Sequence, residues 1–180
     1  MTHLPSAPNG FEWRQFSDVF VLKPLGWNER SKVDTMKEPS VDLHATSPET
    51  FSETDFFETG FTFQIIRNAG ALYSANAEAV ASAHLLPFLQ ERAKEDILLL
   101  NEKVQGEIVR VIARYVDRSP GLRPVTVHKF LAVNNTADSV HVFTFECSVE
   151  TWDENWAKYG ETILGNLCMR QDTPANEPIY

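Results

Sequence analysis

Apolar and polar residues alternate along residues 139–149, and the period then changes to three and four along residues 151–167. A period of two is typical of a strand, whereas spacings of three and four are typical of an amphipathic helix. Thr151 and Glu154 have the spacing of a capping box, so we expect the helix to begin there. Its stripe is made of aromatic and aliphatic residues: Trp152, Trp156, Tyr159, Ile163 and Leu167. The pattern predicts a final strand that leads directly into a helix covering a sheet.

Four strand-like segments follow one another before that helix. They cover residues 97–103, 107–118, 125–134 and 139–149. The turns between them contain Gln105-Gly106, Ser119-Pro120-Gly121 and residues 134–138, in which glycine, proline and asparagine are typical turn residues. Strands joined by short turns pair antiparallel, so this half of the chain predicts a four-stranded meander.

The first half of the chain contains shorter elements. Residues 11–16 and 19–23 are predicted as two strands, and residues 60–67 form a third because apolar side chains recur at every second position. A helix is expected from Ser74 to about Arg92, with Pro87 kinking or splitting it.

The segment 31–59 is polar and acidic. It contains nine Ser or Thr residues, two Pro and seven Asp or Glu. Loops longer than about 15 residues are uncommon in compact domains, so this one is functional or mobile, or it hides a strand. Val41, Leu43 and Ala45 alternate suitably for that strand.

The elements in order predict an antiparallel β-sheet covered by two helical segments, which is an α+β arrangement. A chain of 180 residues can bury a substantial core in one domain. We assign residues 11–170 to a single α+β domain with the long acidic loop at 31–59. Residues 1–10 are expected to be a flexible N-terminus and residues 171–180 a C-terminal tail.

Net charge and cysteine content indicate which partners and which cellular compartment to expect. A net charge of −9 argues against general affinity for nucleic acid or for anionic membranes, which would repel the chain. Cys147 and Cys168 are not in CxxC spacing, and two buried free thiols in a reducing compartment are expected rather than a disulfide. With no apolar run of membrane-spanning length and no signal-peptide pattern, we expect a soluble, cytoplasmic protein.

Motifs for catalysis and cofactor binding are missing from the sequence. The five histidines are not spaced as metal ligands, although His128 and His141 could meet across two strands if the register allowed it. The glycines form no phosphate-binding loop. Cys147 alternates with Phe143 and Phe145, which favours an inert core thiol over a nucleophile. We therefore expect no enzymatic activity, no cofactor and no metal site.

The strand 107–118 has one apolar face and one mixed face. Arg110, Ile112 and Arg114 lie on the mixed face, and Lys129 of the next strand is expected near them. Arginines beside exposed aliphatic side chains are typical of protein interfaces. A solvent-facing sheet with arginine stems lying over aliphatic residues would give the same pattern. These four residues are the candidate partner-binding site.

Residues 20–27, FVLKPLGW, combine a strand, a proline and a tryptophan shortly after it. This stretch resembles the start of the Mog1/PsbP-like superfamily, which includes Ran-binding transport factors, photosystem extrinsic proteins and secretion-effector chaperones. The element order over about residues 11–169 is also similar to that family. The resemblance implies an α/β/α sandwich that binds other proteins without catalysing a reaction. The sequence shows no pattern for the export signal or lipid-attachment cysteine of lumenal and lipoprotein members, so a photosystem role is not expected.

Two functions are compatible with these features. The first is a non-enzymatic protein-binding module, an adaptor or dedicated chaperone, whose partner is another protein bound by the sheet face or by the acidic loop. The alternative is a small-molecule or lipid carrier with a cavity between the terminal helix and the sheet, because helices over curved antiparallel sheets also build such cavities.

Overall fold

The computed structural model describes residues 4–16, 19–34, 41–51, 58–70, 76–90, 92–118 and 123–169. Helix α1 is Ala77–Gln90. Helix α2 covers residues 152–165 and contains α-helical Trp152–Asn155, a π-helical turn at Trp156–Gly160 and α-helical Glu161–Gly165. The strands are β1 (Phe11–Phe16), β2 (Val19–Pro24), β3 (Asn28–Asp34), β4 (Val41–Ser47), β5 (Gly60–Arg67), β6 (Ile97–Gln105), β7 (Ile108–Asp117), β8 (Val125–Asn134), β9 (Ser139–Ser148) and β10 (Cys168–Met169).

The described strands form two antiparallel sheets. The large sheet has the order β3-β4-β5-β9-β8-β7-β6, and the small one has the order β1-β2-β10. The predicted meander is confirmed, because β6, β7, β8 and β9 pair in sequence. Strand β5 joins the meander at β9 and not at β6. As a result β6 is an edge strand of the large sheet.

Both faces of the large sheet are covered over its central strands. On one face, α2 and the small sheet pack against phenylalanine side chains of β5, β8 and β9. On the other face, α1 packs against valine, leucine and alanine side chains of β7, β8 and β9. Each strand buries alternate side chains on opposite faces, so the central strand β9 is buried along nearly its whole length. The predicted α+β sandwich is therefore observed.

The passage from β9 into α2 differs in detail from the predicted capping box. The chain first makes a 3₁₀ turn at Val149–Thr151, and the Thr151 side chain makes no capping hydrogen bond to α2. The backbone N–H of Glu150 instead donates to Ser148 Oγ at 3.3 Å. The capping prediction is wrong because Thr151 already lies inside a helical turn, whereas a capping side chain needs an extended backbone.

The segment expected as a long acidic loop contains regular structure. Most of β3 and all of β4 lie within residues 31–59, and they pair with each other and, through β4, with β5. The hidden strand suggested by Val41, Leu43 and Ala45 is thus present as β4, and the long acidic loop at 31–59 is corrected to a segment that contains two strands. Pairing to the buried strand β5 compensates for the polar composition of this segment.

Helix α1 runs continuously through Pro87, so the expected split is not observed. Pro87 lies in its last turn. Asn76 accepts a hydrogen bond from the backbone N–H of Ala79 at 2.8 Å and so caps the start of the helix. The expected cap Ser74, the turn around Pro120 and the tail 171–180 lie outside the described residues.

The residues that carry the family resemblance form a strand and a tight turn. The N–H of Trp27 donates to the carbonyl of Pro24 at 3.2 Å, and Gly26 has a φ of +80°, as a type II turn requires. The turn places the Trp27 indole 4.9 Å from the ring of Tyr159 in α2. The ammonium of Lys23 donates a hydrogen bond to the Trp27 carbonyl at 3.0 Å. Through Trp27, this turn packs against α2.

Candidate functional site

The hairpin β6–β7 forms an open margin of the large sheet. Strand β6 pairs with β7 on one side, and no other described strand pairs with its outer side. Large apolar side chains are exposed there: Leu98 is 54% exposed, Leu100 56% and Val104 60%. Edge strands of natural proteins normally hide or charge such positions, because unpaired backbone groups beside apolar side chains attract other strands. This margin is the most exposed apolar part of the described sheet.

The margin presents a basic row on the face that bears α2. Direct pairing places Lys103 opposite Arg110, and Asn101 opposite Ile112. Directly opposed residues share a face and have Cβ atoms about 4.5–5.5 Å apart, so Lys103 and Arg110 are neighbouring like charges. Neither forms an ion pair with the described residues, and Arg110 Nε is buried with no hydrogen-bond partner among them. We call this surface, Leu99, Lys103, Arg110 and Ile112, the basic margin.

Arg114 lies on the same face but is held by α2. Its guanidinium carbon is 4.3 Å from the ring centre of Trp156 and 5.0 Å from that of Trp152, which are cation–π distances. Its Nε donates to Nδ1 of His128 at 3.1 Å. Burial, together with the smaller effect of the charge of Arg114, lowers the pKa of His128 to about 3. The imidazole is therefore neutral and accepts from Arg114.

Lys129 is separated from the three other candidate residues. It is paired with Ala113 of β7 and Thr144 of β9, so it projects toward α1 and away from Arg110. Its ammonium lies 3.4 Å from Thr144 Oγ1. Burial lowers the pKa of Lys129 and raises the pKa of Glu146 on the same face, and each charge opposes the shift of the other. The expected neighbourhood of Lys129 and Arg110 is wrong because the pairing register puts them on opposite faces.

An apolar groove lies on the α1 side of the same margin. It has a volume of about 190 Å³ and is lined by side chains from α1, β6, β7 and β8. Its apolar lining includes Leu85, Val111 and Leu131, whereas the ionisable residues of its lining are Glu78 and Glu102. The groove lining is thus mostly apolar, and its two ionisable residues are exposed carboxylates. Sequence reasoning did not identify it.

His128, His141 and Cys147 are the residues that the sequence offered as candidates for a metal site or a nucleophile. His128 is paired with Phe145 and His141 with Ala132, so the two histidines do not meet across the strands. Cys147 is fully buried and burial raises the pKa of its thiol to about 11, as expected for an inert core thiol. Both cysteines are free. Within the described ranges no three His, Cys, Asp or Glu side chains cluster as metal ligands.

The space between α2 and the sheet is filled with side chains. Ile163 and Leu167 are buried, and Trp152 stacks on Trp156 with ring centres 5.1 Å apart. Phe145 of β9 meets both indoles edge-on at 5.9 and 6.0 Å. This packing occupies the place where the carrier hypothesis expected a cavity, and the 190 Å³ groove lies on the opposite face of the sheet.

The comparisons with known proteins concern the fold. No protein-family model matches the sequence, and no curated protein matches it. The structure of the Ran-binding protein Mog1p of Saccharomyces cerevisiae is similar with a TM-score of 0.51 at 12% identity, covering 89% of this chain and 95% of that chain. The solution structure of CyanoP, the PsbP of Synechocystis sp. PCC 6803, is similar with a TM-score of 0.50 at 11% identity, covering 92% and 98%.

A third similar structure comes from Bacteroides thetaiotaomicron. It has a TM-score of 0.43 at 15% identity, and the alignment covers 86% of this chain. The chain spans only 46% of that longer protein. The first two likenesses show that this chain has the Mog1/PsbP-like fold, as the stretch 20–27 and the element order predicted. No helix in the described part of the chain is long and apolar enough to cross a membrane.

Proposed function

Since this chain has the Mog1/PsbP-like fold, we propose that it is a non-enzymatic protein-binding module, an adaptor or dedicated chaperone, that binds another protein through the basic margin. The observation that carries the proposal is the opposed pair Lys103 and Arg110. Mog1p is described as Ran-binding, so a protein partner has been found for one protein of this fold.

The basic margin is suited to an acidic surface of a partner. Like charges placed directly opposite on a sheet destabilise it, by up to about 1 kcal/mol. A carboxylate supplied by a partner would remove this repulsion and pair with the guanidinium of Arg110. Leu99, which is 41% exposed, and the half-buried Ile112 supply apolar area beside the charges. Arginine beside apolar side chains is the composition of interface centres.

Arg114 has a different part in this proposal. Its guanidinium already lies over two indoles and donates to His128. We therefore assign it to holding α2 against the sheet beside the basic margin. Lys129 is outside the proposed surface because it faces α1.

Other parts of the molecule are consistent with this function. The core between α2 and the sheet is packed with aromatic side chains, which favours a partner on the surface over a lipid inside. The catalytic candidates are buried and separated. Free Cys147 and Cys168 support placing the protein in a reducing compartment, which we propose is the cytoplasm.

The experiment is affinity capture from the native cell with the full chain and three charge variants. Lys103→Glu and Arg110→Glu reverse the charges of the basic margin. Lys32→Glu makes the same change at an exposed position of β3, on the opposite edge of the sheet, and serves as the matched control. We expect the two margin variants to lose a protein that wild type and Lys32→Glu both retain. Loss of one partner of a buried, hydrogen-bonded charge pair costs about 2–5 kcal/mol or more in affinity, so reversing the charge should weaken binding at least about thirtyfold.

Circular dichroism of each variant must first show that the fold is kept. Retention of every captured protein by folded Lys103→Glu and Arg110→Glu would remove the basic margin as the binding surface. Copurification of a lipid or small molecule, with no protein captured, would support the carrier alternative instead.

A further inference from the structure

The groove between α1 and β6 lies beside the unpaired outer side of an edge strand. A bound segment could therefore pair with β6 and also fill the groove. By pairing, Leu100, Glu102 and Val104 face α1, because they lie opposite Ala113, Val111 and Val109. Leu100 and Glu102 also line the groove. An extended segment added to the outer side of β6 would direct every second side chain toward α1, directly over the groove.

Strand β6 is regular where such a segment would pair. The irregularity in its pairing with β7 lies between Ile97 and Leu99, and residues 99–105 pair without a break. A bulge can protect an edge by twisting it away, but this one affects only the start of the strand. Residues 99–105 therefore form a regularly paired edge with no described strand on its outer side.

The charges of the groove select the occupant. Its lining is apolar apart from Ser82 and two carboxylates, Glu78 on α1 and Glu102 on β6. The chain as a whole is acidic, with a net charge of −9. A segment with apolar side chains for the apolar lining and a lysine or arginine beside Glu102 would be complementary in both shape and charge.

We propose that β6 is the docking site for an extended segment of another protein that adds a strand to the large sheet. On one face of that segment, apolar and basic residues alternate. The inference rests on the proposed protein-binding function. It adds a second binding surface, the α1 side of β6, and the chemistry of the segment that binds there. On the α1 side, the added strand has an apolar residue opposite Leu100, a basic residue opposite Glu102 and an apolar residue opposite Val104.

The test uses the full chain and a labelled peptide, Thr-Leu-Thr-Lys-Thr-Leu-Thr, followed by fluorescence anisotropy. Its Leu-Lys-Leu face matches the three groove-facing positions of β6 in either chain direction. A peptide with Glu in place of Lys is the charge control. Two further peptides carry N-methyl groups on alternate backbone amides, either on the Thr residues or on the Leu and Lys residues.

We expect the lysine peptide to bind at least about tenfold more tightly than the glutamate peptide, and Glu102→Lys to reverse that order. Glu150→Lys, the same change at an exposed site on the 3₁₀ turn before α2, should leave both affinities unchanged. Because alternate amides of a strand point to opposite sides, one methylated peptide should lose binding while the other keeps it.

Absence of binding, equal binding of the two charged peptides, or equal effects of the two methylation patterns would each overturn the proposal. The proposal would also be overturned if the protein sediments as a dimer and Leu100→Asp converts it to a monomer, because a second copy of the chain would then pair with β6. Arg110→Glu separates this inference from the proposed function. Peptide binding should survive that variant, whereas capture of the partner by the basic margin should not.

Discussion

Gly160→Ala should destabilise the protein, although alanine is the better helix former. Gly160 lies in the π-helical turn of α2 and is buried. A Cβ added there would lie 2.4 Å from Cε3 and 2.9 Å from Cζ3 of the Trp156 indole. Carbon atoms approach favourably only to about 3.5–4.0 Å, so the ring would have to retreat by about 1 Å. Only glycine permits this close approach of the helix backbone to the indole.

The ring has little freedom to retreat. Trp156 lies between Trp152 and His128, with ring centres at 5.1 and 4.6 Å, and Arg114 lies 4.3 Å from its centre. Replacing glycine by alanine inside a helix gains about 1 kcal/mol, whereas overpacking a well-filled core costs about 1–3 kcal/mol. We therefore expect a net loss of up to about 2 kcal/mol. For a chain of this size that lowers Tm by roughly 2–4 °C per kcal/mol.

Thermal unfolding followed by far-UV circular dichroism measures the effect, with Gly165→Ala as the matched control. Gly165 lies in the same helix, and a Cβ there would meet nothing within 4 Å, so its replacement should raise Tm slightly. In a Trp156→Ala background Gly160→Ala should become harmless. The reasoning is refuted if Gly160→Ala raises Tm as Gly165→Ala does, or if its cost persists without the indole.

Three further outcomes follow from the structure. Gly26→Ala should cost about 1 kcal/mol in chemical denaturation, because φ is +80° while nothing crowds the added Cβ; an unchanged midpoint would contradict the turn geometry. Cys147 should resist maleimide in the native protein at pH 8, since a thiol pKa of about 11 leaves about 0.1% thiolate, and labelling in native protein as fast as in urea would argue against burial. The pKa of His128 is about 3 when folded and near 6.5 when unfolded, so the unfolded chain binds more protons between these values and stability falls as the pH drops through them. Wild type should thus lose about 2 kcal/mol more than His128→Gln between pH 7 and pH 5, and equal losses in urea titrations would exclude the histidine.

The fold could be predicted from the sequence because local patterns were strong. Alternation placed β5 and β8 at their observed bounds, and the step from a period of two to a period of three and four placed the junction of β9 and α2. Burial of Cys147 followed from the same alternation. Where polar residues dominated, as along β3 and β4, the pattern was weak, and pairing with neighbouring strands supplied the structure.

The candidate site was only partly predictable. Arg110 and Ile112 were correctly placed on one face because residues two apart on a strand share a face. Lys129 was misplaced because relating faces across two strands requires the pairing register. Lys103 was overlooked for the same reason. The run Leu98, Leu99 and Leu100 is visible in the sequence, but it predicts a buried strand as readily as an exposed one.

The sequence by itself determined the strands and helices that have a strong apolar period, and which side chains within one element share a face, because these depend on the chain's local geometry. Only the tertiary structure decided that β5 joins the sheet at β9, so that β6 lies at an edge with its leucines exposed. It also decided that Arg114 is held by two indoles while Lys103 and Arg110 oppose each other. Short turns encode the order of strands that are neighbours in sequence, as in the meander, whereas the pairing of β5 with β9 arises from contacts between residues distant in sequence, which no local pattern encodes.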